Sequence, residues 1–394
     1  MAEVLLICGG NQPLAQHFIR YCQQNDTHIC PISEIRTVDK LPFQQFLTQK
    51  ISKKKFRNID EEIFAAVQLV GSKIWKEYKF LGYECKIPVK HYQYDLCDEC
   101  DELDQVFAGC TTVIYCARKN YEYLYTGTDQ AEAYQRDNVQ ASFMTTKRLI
   151  KHGIKNLIFV GDAYGNLENC DNYGPSEQMH IQMPKTFILG AYGESIARAE
   201  QNVMKIVDEG KVNGISLRPV MLYGEGEKNL IGSMLKHCKS CGGCPNIRGD
   251  DRGNHQYIYA GNLAAIVYRC IECLRDDAKR YSGECIYCVD DTACTPFKNF
   301  IKSFMEVYQV PLKDETSYFT AFLSSVYKEL LYKFGVGKSV AQLTFTAQRF
   351  LYGWTVGFSN RKLRLLLDFQ PPIQQNEAIE KTLLWYRNNP NFLE

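Results

Sequence analysis

The apolar run at residues 4–7 opens directly onto Cys8-Gly9-Gly10-Asn11-Gln12-Pro13-Leu14-Ala15, after which Leu14, Phe18, Ile19 and Cys22 recur at helical spacing until Asn25-Asp26. A buried strand that ends in glycine and feeds a helix suits the pyrophosphate of a dinucleotide. One glycine makes the tight turn, one lets the backbone approach the phosphates, and one packs helix on strand. Gly9 and Gly10 serve the turn, Gln12 stands where the phosphate-facing glycine is expected, and Ala15 stands in the packing position. A methyl group is tolerable there, whereas the Gln12 side chain must either occupy the pyrophosphate space or point away from it. An acidic residue near the end of the second strand would bond the ribose 2′-hydroxyl; Ser33, Glu34 and Arg36 are the candidates, which leaves NAD against NADP open. Asp95-Leu96, expected to close the third strand, can reach an adenine amine and cover its ring, the alternative being a strand-end cap.

The elements that must position these residues alternate in type. Strands are expected at 4–7, 28–32, 92–95, 112–115, 157–160 and 214–217, with helices between them, including 133–152 and 193–208. That rhythm predicts an α/β fold with a doubly wound, mostly parallel, Rossmann-like sheet. About fifty residues between the second and third strands, roughly 37–89, exceed an ordinary connection and read as an insertion. It holds Lys53-Lys54-Lys55 and an amphipathic pattern through Ile63, Val67, Val70, Ile74 and Trp75, read as a helix on the sheet edge with a solvated basic tip, or as a docking surface. After Asn254 the rhythm gives way to a strand at 285–289 and helices at 296–308 and 377–387. The expected organisation is a dinucleotide-binding domain at 1–255 and a smaller mixed α/β lobe at 256–394. Residues 319–358 are rich in Phe, Tyr, Leu and Trp at helical spacing, which fits core packing or a pair of helices lying on a membrane surface.

Forty-six basic and forty-five acidic residues among 394 give a formal net charge of +1, which argues against nucleic acid as a partner. No basic stretch precedes the first strand, and the most apolar segment, 318–334, is interrupted by Lys328, Glu329 and Lys333. An intracellular chain without signal peptide or transmembrane helix is expected, cytoplasmic or peripheral on an endoplasmic-reticulum or mitochondrial membrane. Seventeen cysteines, an odd number, cannot all pair within the chain. Cys238, Cys241 and Cys244 have the two-residue spacing of zinc ligands but no fourth ligand at a zinc-site spacing, so no metal is expected.

Several blocks occur in an order that resembles the extended short-chain dehydrogenases/reductases. They are Val106-Phe-Ala-Gly-Cys-Thr-Thr-Val-Ile-Tyr-Cys-Ala117, Asn138-Val139, Leu157-Ile-Phe-Val-Gly-Asp162, Tyr192-Gly-Glu-Ser-Ile-Ala-Arg-Ala-Glu200, Leu217-Arg-Pro-Val-Met-Leu-Tyr-Gly-Glu-Gly226 and Tyr257-Ile-Tyr-Ala-Gly-Asn-Leu-Ala264. With Tyr287-Cys-Val-Asp290 and the aromatic region after it, the chain looks most like the 3β-hydroxysteroid dehydrogenase/isomerase family, everywhere except the insertion. The resemblance implies hydride transfer between NAD or NADP and a sterol or similar hydroxy or oxo compound. It places Gly9, Gly10, Gln12, Leu14, Asp95, Leu96, Ala117 and Pro219 along the cofactor.

The family uses a tyrosine as acid/base, a lysine one helical turn on to lower its pKa, and a serine or threonine to hold the substrate oxygen. Here Tyr192 matches the tyrosine, Ile196 stands in place of the lysine, and Asp162 in place of the serine. Isoleucine supplies neither charge nor donor, so the phenol is expected to stay protonated. Lys185 precedes Tyr192, and Arg198 lies on another helix face, so neither replaces the lysine, while Asp162 could itself act as a base. Two functions follow: a catalytically impaired dehydrogenase of this family, or a non-catalytic scaffold or accessory subunit of a larger assembly, a mitochondrial one included, that keeps the fold for binding.

Overall fold

Leu5 and Ile7 join one hydrophobic cluster and Leu6 and Cys8 another, as a strand covered on both faces requires. The computed structural model describes residues 2–25, 31–44, 47, 75–77, 87–126, 129–175, 177, 183–248, 252–335 and 341–393. The central sheet contains β1 (Glu3–Cys8), β2 (Ile32–Asp39), β3 (Trp75–Glu77), β4 (Val89–Gln93), β5 (Thr112–Tyr115), β6 (Asn156–Val160), β8 (Asn213–Pro219) and β13 (Glu284–Cys288). Their order is β13-β8-β6-β5-β1-β2-β4-β3, parallel except for β3, which pairs antiparallel with β4. From β1 the chain winds first through β2 and β4, then back through β5, β6 and β8. The crevice of such a sheet lies beyond the carboxyl ends of β1 and β5, where the order reverses.

Helices cover both faces, giving the doubly wound, Rossmann-like plan expected from the sequence. On one side α1 (Pro13–Gln24) packs against α7 (Ala260–Tyr281); on the other lie α2 (Asp101–Phe107), α4 (Ala141–Lys151) and the later turns of α5 (Gly190–Asp208). A short α3 (Ala131–Tyr134) runs through a π turn at Gln135–Gln140 into α4. The remaining helices are α6 (Leu230–Ser240), α8 (Phe297–Val307), α9 (Tyr318–Lys333), α10 (Phe345–Tyr352), α11 (Arg361–Leu367) and α12 (Gln375–Asn388). Among the described residues four two-stranded pairs tie the loops together: β9 (Met221–Tyr223) with β12 (Tyr257–Tyr259), β7 (Asn172–Tyr173) with β16 (Val356–Gly357), β10 (Cys244–Arg248) with β15 (Leu312–Ser317), and β11 (Asn254–His255) with β14 (Thr295–Pro296).

Two strand boundaries differ from those expected. The second strand is Ile32–Asp39 rather than 28–32, of which 28–30 lie outside the described residues. Its apolar anchors, Ile35 and Val38, are separated by polar residues that break the run in the sequence. Those polar groups are satisfied at the sheet: Arg36 pairs with Glu34 and bonds the carbonyls of Val106 and Ala108, and Lys90 also pairs with Glu34. The third expected strand, 92–95, is Val89–Gln93, so Asp95 lies two residues beyond its end. Within the insertion, Lys53-Lys54-Lys55, Ile63, Val67, Val70 and Ile74 lie outside the described residues, while Trp75 falls in strand β3 rather than in a helix.

In the C-terminal stretch, β13 extends the large sheet beside β8, and Trp385 and Tyr386 of α12 share a hydrophobic cluster with Leu5. The aromatic region divides. Phe350, Leu351 and Tyr352 of α10 are core, whereas α9 turns Phe319, Leu323, Tyr327 and Leu330 to the outside, followed by Phe334 at its C-cap. Among the described residues no helix is long and apolar enough to cross a membrane.

Candidate active site

The loop after β1 is held tightly. Gly9 has φ +95°, and a Cβ there would stand 2.7 Å from the backbone of Ala117, so only glycine fits against the end of β5. Pro13 opens α1, and the first-turn N–H groups of Leu14 and Ala15 have no carbonyl within the helix to bond. Gln12 does not turn away from the crevice. Its amide nitrogen donates to the Arg118 carbonyl at 3.0 Å and its amide oxygen accepts from Asn120 at 3.3 Å, so the side chain links the β1 and β5 loops.

Asp39, at the end of β2, takes the position where an acid facing a ribose is expected. Its Oδ2 accepts from the Asn11 N–H at 3.1 Å and its Oδ1 from the Leu41 N–H at 3.0 Å, and it lines the same cleft as Gly9 and Gln12. Ser33, Glu34 and Arg36 lie earlier in the strand, with Ser33 bonded to the Glu3 carbonyl and the other two in the ion pairs described above. Asp39 was hidden because it lies within what reads as the insertion; the turn residues Leu41-Pro42 just after it were the available signal. Asp95 and the buried Leu96 line the cleft as well. Burial alone would raise the Asp95 pKa, but the Cys97 N–H at 2.9 Å and Arg136 at 2.6 Å hold it below the ordinary carboxylate range. Asp95 is therefore a turn cap in addition to lining the cleft. Leu14 is a core residue, Gly10 abuts Thr37, and the Pro219 carbonyl accepts from the Ala163 N–H at 2.9 Å, bracing the turn after β6.

At the other end of the cleft, the Tyr192 hydroxyl of α5 donates to Asp162 Oδ2 at 2.8 Å, while Asp162 Oδ1 accepts from the Tyr164 N–H at 2.9 Å. Burial pushes the Tyr192 phenol well above its ordinary value of 10, with Arg118 pulling it down and Asp162 pushing it further up. Ile196 lies one turn on and packs on Gly165, where a Cβ would come within 2.9 Å of Cγ2. Lys185 is exposed and Arg198 is paired with Glu194 at 2.7 Å, so neither takes the lysine's place.

Arg118, like Asp39, is a residue the sequence did not single out. Its Nη1 bonds the Gly161 carbonyl and lies 4.0 Å from Asp162 Oδ2, and its Nε donates to Asn120 at 3.2 Å. Burial disfavours the guanidinium charge, but Tyr192 and Asp162 outweigh that and raise its pKa. Its position directly after Ala117, at the end of a buried strand, was the signal in the sequence. Asn138, on the π turn, bonds Ser195 at 2.8 Å and the Lys119 N–H at 2.7 Å, fixing α5 against the β5 loop.

Tyr121, Tyr123, Tyr164, Leu189, Met221 and Phe350 wall this end of the cleft. The arrangement can hold an elongated polar molecule against Gly9, Asp39 and Asp95, and an apolar molecule with one oxygen at Tyr192.

The sequence matches the model of the 3-beta hydroxysteroid dehydrogenase/isomerase family over residues 44–320, well over half of the chain. It is 23% identical over 314 residues to a sterol-4-alpha-carboxylate 3-dehydrogenase (decarboxylating) of Candida albicans, covering 75% of this chain and 83% of that protein. The corresponding protein of Saccharomyces cerevisiae is also 23% identical, with 97% of each chain covered. Among solved structures, a dTDP-glucose 4,6-dehydratase from Streptomyces venezuelae with NAD and TYD bound superposes with a TM-score of 0.66 at 13% identity, covering 100% of both chains, a likeness of fold.

Proposed function

Because this chain belongs to the 3-beta hydroxysteroid dehydrogenase/isomerase family, we propose that it transfers hydride between a nicotinamide dinucleotide and the secondary hydroxyl of a sterol-type alcohol. The observation that carries this reading is one continuous cleft, which joins Asp39 and Asp95 at one end to the Tyr192–Asp162 pair at the other. The residues fit the dinucleotide. Gly9 leaves the backbone uncovered, the free N–H groups at the start of α1 suit a pyrophosphate, Asp39 would accept from the ribose hydroxyls, and Leu96 would cover the adenine. A carboxylate at Asp39 favours NAD, since the 2′-phosphate of NADP would meet like charge.

The bound nicotinamide would supply the hydride acceptor. The chain's own residues do the rest: the aromatic walls exclude water and hold the sterol rings, and Tyr192 hydrogen-bonds the substrate oxygen. Titrating purified protein with NADH and following nicotinamide fluorescence, then assaying oxidation of a 3β-hydroxysteroid with NAD, tests the reading. Micromolar binding with steroid-dependent NADH formation is expected. No binding at millimolar dinucleotide would refute it and leave the non-catalytic scaffold standing.

The exposed stripe of α9 and its C-cap favours one further element of this reading, peripheral contact with a lipid bilayer. Phe319, Leu323, Tyr327, Leu330 and Phe334 follow one another every three or four residues and are between 50% and 83% exposed. Tyr332 on the same helix stacks on Tyr125 at 4.4 Å, on the segment that carries Tyr121 and Tyr123 of the cleft wall. The stripe would rest on the membrane in which an apolar substrate dissolves. Co-sedimentation with phosphatidylcholine vesicles should be lost on Phe319→Ser with Phe334→Ser; equal sedimentation of this variant and the wild type would remove the membrane contact.

A further inference from the structure

Resting on the dehydrogenase reading above, we propose that Asp162 receives the substrate's proton through Tyr192 and that Arg118 supplies the positive charge that Ile196 does not. Two loops and helix α5 converge on this point. Tyr192 already donates its proton to Asp162 Oδ2 at 2.8 Å, so its oxygen is left to accept from the substrate hydroxyl. Arg118 stands 4.0 Å from the same carboxylate oxygen and is anchored by the Gly161 carbonyl and Asn120. In the family arrangement a lysine makes the phenolate the base. In this site burial holds the phenol neutral, and a carboxylate occupies the position of a serine that could accept no proton. The two departures from the family pattern therefore compensate: the base moves one hydrogen bond outward, from the phenol to Asp162.

The step balances. The substrate O–H bond breaks and its proton passes to the Tyr192 oxygen as the Tyr192 proton passes to Asp162 Oδ2. The carbinol C–H bond breaks and its electron pair leaves with the hydrogen to an oxidised nicotinamide ring, and the carbon–oxygen double bond forms. The alcohol is oxidised, the dinucleotide reduced, and one proton remains on Asp162, which is 17% exposed and can return it to water. Other groups around the phenol cannot substitute. Tyr121, Tyr123, Tyr134 and Tyr164 have pKa values raised by burial, and the Glu227 carboxylate is taken up by the N–H groups of Asn229, Leu230 and Ile231 at 2.7, 2.9 and 3.0 Å.

The test compares the full-length wild type with Asp162→Asn, Asp162→Ser, Arg118→Gln and Arg118→Lys, reading NADH affinity by fluorescence separately from kcat and KM for a 3β-hydroxysteroid. Both Asp162 variants should bind NADH within about twofold of wild type and keep KM, while kcat falls by roughly 10²–10⁴-fold, the usual size of positioned acid/base catalysis. Arg118→Gln should lower kcat and Arg118→Lys should recover part of it, since the role is one of charge. Adding Ile196→Lys to Asp162→Ser should restore kcat at least tenfold by rebuilding the phenolate route. Turnover that survives in both Asp162 variants overturns the relay and leaves the dehydrogenase reading intact. Failure of the wild type to bind dinucleotide removes both.

Discussion

Gln12→Gly is the substitution whose effect on cofactor binding follows most directly from the geometry. In the wild type the Gln12 amide bonds the Arg118 carbonyl at 3.0 Å and Asn120 at 3.3 Å, and all three residues line the cleft. A dinucleotide reaching from Asp39 to Tyr192 must pass this link and displace it. Two hydrogen bonds contribute roughly 0.5–1.5 kcal/mol each, so displacing them costs about 1–3 kcal/mol of binding. At about 1.4 kcal/mol per tenfold, removing the side chain should tighten NADH binding roughly 5- to 150-fold. Gln12 precedes Pro13 with φ −69° and ψ 145° and makes no side-chain cap to α1, so glycine fits the backbone there and the cost to the fold is that of the two lost hydrogen bonds, about 1–3 kcal/mol. Isothermal titration of both proteins with NADH, alongside their melting temperatures, provides the measurement. An unchanged or weaker affinity in a variant that is still folded at the titration temperature would show that Gln12 lies clear of the cofactor path.

Gly9→Ala combines a positive φ with a Cβ 2.7 Å from the Ala117 backbone; it should destabilise the protein by about 2–4 kcal/mol, read from the urea midpoint, and abolish dinucleotide binding. Asp39→Ser should weaken NAD and improve NADP, so that the ratio of their dissociation constants moves at least tenfold toward NADP; a ratio unmoved by the change would place the ribose elsewhere. His17, His237 and His255 are buried, and loss of solvent lowers each from 6.5 to about 4. Between those values the unfolded chain binds more protons than the folded one. Their contribution to stability is therefore whole above pH 6.5 and declines as pH falls toward 4, by up to roughly 1.4 kcal/mol per pH unit for each histidine. Urea midpoints at pH 7 and pH 5 should show this loss, and equal midpoints would contradict it.

Much of the architecture was legible from residues 1 to 394 read in order, because the period of apolar residues is a local property. A strand buried on both faces needs an unbroken apolar run and a covering helix needs one apolar stripe, so the alternation of the two already implied the parallel sheet. The order of the motif blocks marked the family, and the spacing from Asp162 to Tyr192 to Ile196 marked the site and its missing amine. What the sequence left open depends on pairing. The end of β2 is set where Val38 lies beside Cys8 and Tyr92, which carries the strand to Asp39 even though its polar residues conceal the run. Arg118 and Asp162 are 44 positions apart in the chain. They meet because Tyr115 of β5 pairs with Phe159 of β6, and each functional residue stands three positions beyond that pair. Parallel neighbours bring equal offsets past their ends to the same edge of the sheet. Register is a property of two strands together, so only the tertiary structure could set the guanidinium beside the carboxylate.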